Sequence, residues 1–168
     1  MPRFLYLLRH SQSADKQMGQ RDPDRELTPN GVKQSLIMGT WLFRQNIFPD
    51  IILSSTAERA KATASLVADT LKFDVDKIQL QEDLYDASTR TFFQFVTQLE
   101  DEFQRILCVA HNPVISYVAE YLTKAEIGDM PPAGLAIIKF NIQSWKEVGE
   151  GKGELMNYVN PETLENER

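Results

Sequence analysis

The chain has 168 residues, with 18 Lys and Arg against 24 Asp and Glu, a net charge of −6 and an ordinary 42% of apolar residues. That length holds one domain with a real core. The acidic balance argues against a nucleic-acid surface, which wants a basic stripe, yet leaves room for a locally positive pocket.

Phe4-Leu5-Tyr6-Leu7-Leu8 is apolar without a break and ends on Arg9-His10-Ser11. Such a run predicts a strand covered on both faces, as in a parallel sheet. Its last side chains then reach the carboxyl edge, where open α/β folds place their ligands. Arg9 offers a planar fork of donors for anionic oxygens. The neutral imidazole of His10 offers a nitrogen able to attack phosphorus. Ser11 to Glu26 reads as a polar loop leaving that edge, and loops so placed carry function. Within it, Arg21 and Arg25 read first as solvated partners of Asp22, Asp24 or Glu26. Thr28 is placed to cap a helix with Pro29 in its first position, running to about Gln45.

Phe48-Pro49-Asp50 breaks the chain before a second apolar strand, Ile51 to Ser55. A small-residue turn leads into an Ala-rich helix from about Thr56 through Leu71. Serines and free helix amides at such a turn suit an oxyanion, and Arg59 lies within reach of the same crevice. Ile78-Gln79-Leu80 is expected as a third, edge strand, followed by the acidic turn Glu82 to Asp86. A helix from about Arg90 to Asp101 presents Phe92, Phe93, Phe95, Val96 and Leu99, an apolar stripe that reads as core. Arg105 to Ala110 repeats the first strand's logic, an apolar run ending on a histidine, His111, before Asn112-Pro113 opens a helix to about Leu122. If the two His-terminated strands are neighbours, the chain's only two histidines share one crevice.

Leu135 to Ile142 and Glu154 to Val159 complete six strands, with a Gly-containing loop from Lys146 to Gly153 between them. Residues 1–160 are expected as a single domain and 161–168 as a polar, frayed C-terminal tail. The alternation of strand and helix predicts an α/β fold, a three-layer α/β/α sandwich around a mostly parallel central sheet. Cys108 is the one cysteine, which leaves no intramolecular disulfide and fits a reducing, cytoplasmic setting. No segment reaches the roughly 20 apolar residues of a membrane span, the start lacks a signal-peptide pattern, and no Cys/His cluster has metal spacing. Hence no metal, no cofactor and no membrane partner is expected.

Leu8-Arg9-His10, Ser54-Ser55 with Arg59-Ala60 and Thr63-Ala64, and Val109-Ala110-His111-Asn112-Pro113 together resemble the histidine phosphatase superfamily, the phosphoglycerate mutase-like group. Chain length, the run Arg25 to Gly31 and the segment Leu84 to Ser88 resemble its small SixA-type phosphohistidine phosphatase branch. The resemblance covers Phe4 to about Val159. It implies that His10 is the nucleophile, forming a phosphohistidine that water hydrolyses, and that Arg9, Arg59 and His111 surround the phosphate. His111 would then act as a positive donor held so by the bound anion. The same resemblance makes Arg25 a substrate contact, with Asn112 and Ser54 as further donors. It also places the general acid two residues after a leucine, which selects Asp86 with Glu82 in reserve, against the reading of an ordinary acidic turn. One departure stands out. Ser11 occupies a position that is usually Gly or Ala, where its hydroxyl would either donate to phosphate or crowd it.

The expected activity is therefore a metal-independent phosphatase acting on N-phosphorylated, phosphohistidine-bearing protein. One alternative is a phosphatase for small phosphomonoesters. The other is a non-catalytic, phosphate-binding regulatory module.

Overall fold

A computed structural model describes residues 1–166. Strand β1 (Arg3–Arg9), β2 (Ile51–Ser54), β3 (Gln79–Leu80), β4 (Arg105–Ala110), β5 (Leu135–Phe140) and β6 (Gly153–Val159) form one sheet in the order β3-β2-β4-β1-β5-β6. The β3–β2, β2–β4 and β4–β1 pairs are parallel, whereas β5 and β6 add on antiparallel. Helices α1 (Pro29–Arg44), α2 (Glu58–Thr70), α3 (Thr89–Thr97), α4 (Val114–Thr123) and α5 (Pro161–Asn166) cover the two faces. The three-layer α/β sandwich expected from the sequence is the fold observed.

The period-2 alternation of a strand explains the layering. Leu5 and Leu7 enter one core with Phe92 and Val96 of α3 and Ile115 and Leu122 of α4. Tyr6 and Leu8 enter the other with Met38 and Leu42 of α1 and Ala64 and Val67 of α2. Cys108 is fully buried in the first, as expected of a core residue. On the other face, α1 and α2 pack closely because a Cβ on Gly39 would stand 2.8 Å from Thr70 Cβ.

Capping sets the helix starts. Thr28 Oγ1 accepts the Gly31 amide at 3.0 Å, with Pro29 in the first turn as expected. Ser88 Oγ accepts the Thr91 amide at 3.1 Å and starts α3 one residue early. That helix stops at Thr97, short of the expected Asp101, because Asp101 serves another element. Its carboxylate accepts the Trp145 amide at 2.9 Å and the Ser144 hydroxyl at 2.8 Å, pinning the 3₁₀ turn Trp145–Glu147 inside the stretch read as loop.

The C-terminal tail also departs from expectation. Residues 161–166 are helical, not frayed. The helix begins beside Asn160, whose Oδ1 accepts the Thr163 amide at 2.9 Å, and it buries Leu164 with the α1 residues of the second core. The last two residues of the expected frayed tail, 167 and 168, lie outside the described residues. Among the described residues, no helix is long and apolar enough to cross a membrane.

Candidate active site

Three neighbouring parallel strands end at one edge. Leu8 of β1 lies opposite Val109 of β4, and Ser54 of β2 lies opposite the same Val109. The chain continues past those strand ends with His10, His111 and Ser55. Main-chain bonds from the His10 amide to Ala110 O and from the Ser55 amide to Val109 O, each 3.0 Å, hold the ends together. The two His-terminated strands are thus adjacent, and the imidazole centroids stand 5.0 Å apart.

His10 is 8% exposed. Its Nδ1 lies 2.7 Å from Ser11 O, a carbonyl that only accepts, so Nδ1 carries the proton and Nε2 keeps its lone pair. Burial, joined by the guanidiniums of Arg59, Arg9 and Arg25, brings His10 down from 6.5 to about 4, against the Ser11 contact, which raises it. The ring is therefore neutral at pH 7, with Nε2 free to act as a nucleophile.

His111 Nε2 lies 2.7 Å from Ser55 Oγ. That hydroxyl also accepts the Ala57 amide at 3.2 Å, which ties the His111 ring through Ser55 to the start of α2. Burial foremost, then His10 and Arg59, push His111 down to about 3, while Asp22 pulls it up. His111 is thus neutral in the free site. Nδ1 is buried without a protein partner, as is Nε of Arg9. Unpaired buried polar atoms are costly; here two of them belong to residues beside the neutral His10. A third such atom, Arg3 Nε, lies at the opposite end of β1, on a guanidinium held by three carbonyls.

Arg9 is fixed by NH1 on Met130 O at 2.7 Å. Arg59, in the first turn of α2, is 7% exposed and bonds Asp22 twice. Arg25 shapes the loop between β1 and α1, with Nε on Ala14 O, NH2 on Ser13 Oγ and NH1 on Asp22 Oδ1. The plain reading of paired loop arginines therefore holds for Arg25 with Asp22, and for Arg21 with Asp24 at 3.3 Å.

Three predicted contacts have their side-chain polar groups engaged by other protein groups. Ser54 is fully buried and its hydroxyl donates to Ser55 O; the useful serine is the next one, because successive strand side chains alternate faces. Ser11 is likewise buried, its hydroxyl paired with Ser35 Oγ at 2.6 Å and its amide on Thr63 Oγ1. Asn112 gives its amide to Met130 O and accepts from Ser116, which makes it a support for the carbonyl that anchors Arg9. Asp86 is exposed and lines a cavity of about 100 Å³ that His111, Tyr85 and Asn112 also line. Glu82 lies in the 3₁₀ turn Glu82–Leu84 and does not line it. Asp22 and Tyr85, whose hydroxyl donates to Asp22 Oδ2 at 2.7 Å, were not singled out from the sequence. Among the described residues, no three His, Cys, Asp or Glu side chains are grouped to hold a metal ion.

Two imidazoles and two arginines gathered on the carboxyl edge, with His10 neutral and its Nε2 lone pair free, have the make-up of a histidine phosphatase site. The family model for the histidine phosphatase superfamily (branch 1) matches residues 5–92, and the chain belongs to that superfamily. An uncharacterised protein of Mycobacterium leprae is 32% identical over 152 residues, covering 83% of this chain and 89% of its own. A candidate phosphohistidine phosphatase SixA from Agrobacterium tumefaciens superposes with a TM-score of 0.81 at 26% identity, over 96% of this chain and 99% of that one. A protein histidine phosphatase SixA in complex with tungstate has the same fold, with a TM-score of 0.81 at 22% identity and the same coverage. The small, SixA-type form of the superfamily is thus the form of this chain.

Proposed function

We propose that the chain is a metal-independent phosphatase that takes a phosphoryl group onto His10 Nε2 and passes it to water, with phosphohistidine-bearing protein as its substrate. The observation that carries this reading is the state of His10, whose proton is fixed on Nδ1, whose Nε2 is unprotonated, and whose surroundings are cationic. Attack by Nε2 in line with the leaving group moves charge onto the equatorial phosphoryl oxygens. Arg9, Arg59 and His111 are the donors for those oxygens, and preset donors in a buried site stabilise the transition state strongly. The second half-reaction transfers the phosphoryl group from Nε2 to water and restores the free imidazole.

Two features favour an N–P substrate. The A. tumefaciens relative is a candidate phosphohistidine phosphatase, and Asp86, the acid candidate, stands exposed at the rim. An alkoxide needs a proton to depart, whereas imidazole leaves a phosphoramidate with less help.

The test is phosphate release by the purified protein in the presence of a chelator. It compares a phosphohistidine-bearing protein with p-nitrophenyl phosphate, and His10→Ala serves as the blank. Fast release from the N–P substrate and slow release from the ester is the expected result. The reverse order would select the small-phosphomonoester reading, and no release from either would select the phosphate-binding module.

A further inference from the structure

The carboxylate of Asp22 is where three segments meet. It lies in the 3₁₀ turn Asp22–Asp24 of the loop between β1 and α1. Oδ2 accepts from Arg59 NH2 at 3.0 Å and from the Tyr85 hydroxyl at 2.7 Å, and Oδ1 accepts from Arg25 NH1 at 3.2 Å. The main-chain carbonyl of Asp22 takes Arg59 NH1 at 2.9 Å. Tyr85, held by its hydroxyl, sets its ring at 83° to that of His111, with centroids 5.6 Å apart. One residue therefore grips Arg59 directly and reaches His111 through an aromatic ring.

The bonds to Tyr85, Arg59 and Arg25 hold the Asp22 carboxyl well below the usual carboxylate range, so it stays charged at every working pH. The Arg59 side chain is only 8% exposed, and that of Asp22, 43% exposed, reaches it from the solvent side. Two opposite roles are open to such an anion. It can compete with phosphate for the guanidinium, or it can hold the guanidinium in place for phosphate. The geometry favours holding. Half the grip on Arg59 is a main-chain carbonyl, which cannot swing away, and Arg25 ties the same turn to Ala14 and Ser13. An arginine has five N–H donors, so Asp22 leaves Arg59 with donors to spare.

We infer that Asp22 is the positioning residue of the phosphate site, presetting Arg59 directly and His111 through Tyr85. This rests on the phosphatase reading, because the donors it sets are those proposed for the phosphoryl oxygens. Presetting donors matters because a shift of about 1 Å in a binding group can cost on the order of 100-fold.

The experiment is a titration of wild type, Asp22→Ala, Tyr85→Phe and the double variant with inorganic phosphate, read by calorimetry, with p-nitrophenyl phosphate turnover measured alongside. Asp22→Ala is expected to weaken phosphate binding about 10- to 100-fold, and Tyr85→Phe about threefold. The double variant should be no worse than Asp22→Ala alone, because the hydroxyl acts through the carboxylate. Phosphate binding as tight as, or tighter than, wild type in Asp22→Ala would overturn the inference and make Asp22 a competitor. Strictly additive losses would overturn it too. Should Asp22→Ala not fold, Tyr85→Phe decides alone: a threefold loss supports the inference and unchanged phosphate affinity overturns it. Binding is read without turnover, so a wild type that binds phosphate but hydrolyses nothing refutes the phosphatase reading and leaves the positioning result standing on its own.

Discussion

Acid should destabilise this protein in a window set by its two histidines. His10 falls from 6.5 to about 4 on folding, and His111 falls to about 3. Between those values and 6.5, the unfolded chain binds protons that the folded chain refuses, so stability is full above about pH 6.5 and is lost as pH drops toward 4. At about 1.4 kcal/mol per unit, the His10 shift alone corresponds to roughly 3 kcal/mol, a large share of the 5–15 kcal/mol typical of a domain. Asp22 and Asp101, whose carboxyls are held down by their partners, act in the same direction but only below the ordinary carboxylate range near 4. The two contributions therefore separate. The assay is urea unfolding of wild type and His10→Gln across about pH 7 to pH 4, with imidazole resonances followed by NMR. With only two histidines in the chain, the variant assigns both rings. Wild type should lose stability steadily through the window, and His10→Gln should lose markedly less. A His10 ring titrating near 6.5, or a flat unfolding midpoint down to pH 4.5, would refute the reasoning that burial among arginines keeps the nucleophile neutral.

Three further changes test the surroundings. Gly→Ala inside a helix ordinarily gains up to about 1 kcal/mol, but a Cβ on Gly31 would sit 2.1 Å from Gln12 O, at the start of the loop that follows His10. Gly31→Ala should instead cost roughly 1–3 kcal/mol and lower activity, which thermal melting and steady-state assays would show together. Ser55→Ala removes the hydroxyl that holds His111 Nε2 and accepts the Ala57 amide; kcat should fall by about 10-fold, and the melting temperature should fall with it because a buried amide loses its acceptor, at a cost of roughly 1–3 kcal/mol. Asp86→Asn should slow hydrolysis of an alkyl phosphomonoester by at least about 100-fold while leaving a phosphoramidate nearly untouched. Equal losses on the two substrates would make Asp86 structural.

Much of this fold could be read from the chain because its signals are local. The apolar runs Leu5–Leu8 and Ile106–Ala110 are buried throughout, and each ends on a histidine at the sheet edge. Thr28-Pro29 carries the helix start in its own chemistry. What escaped was non-local or one residue out of phase. Ser54 and Ser55 look alike in sequence, and only the strand's alternation and the main-chain bond to Val109 decide which one faces His111. Ser11 is committed by Ser35, a residue 24 positions away. Asp22 and Tyr85 are 63 positions apart, and nothing in either segment announces that one carboxylate joins them to Arg59. Helix α5 escaped for a related reason, since a single buried leucine in a polar hexamer gives almost no periodic signal.

The central claim is that His10 carries the phosphoryl group during turnover. The direct measurement is to mix the protein with a labelled phosphoryl donor, quench in alkali, where N–P bonds survive, and map the label by mass spectrometry. Label is expected on the peptide bearing His10, trapped early in turnover, removed by acid and missing from His10→Ala. Turnover without label on His10, or His10→Ala that still releases phosphate, would contradict it.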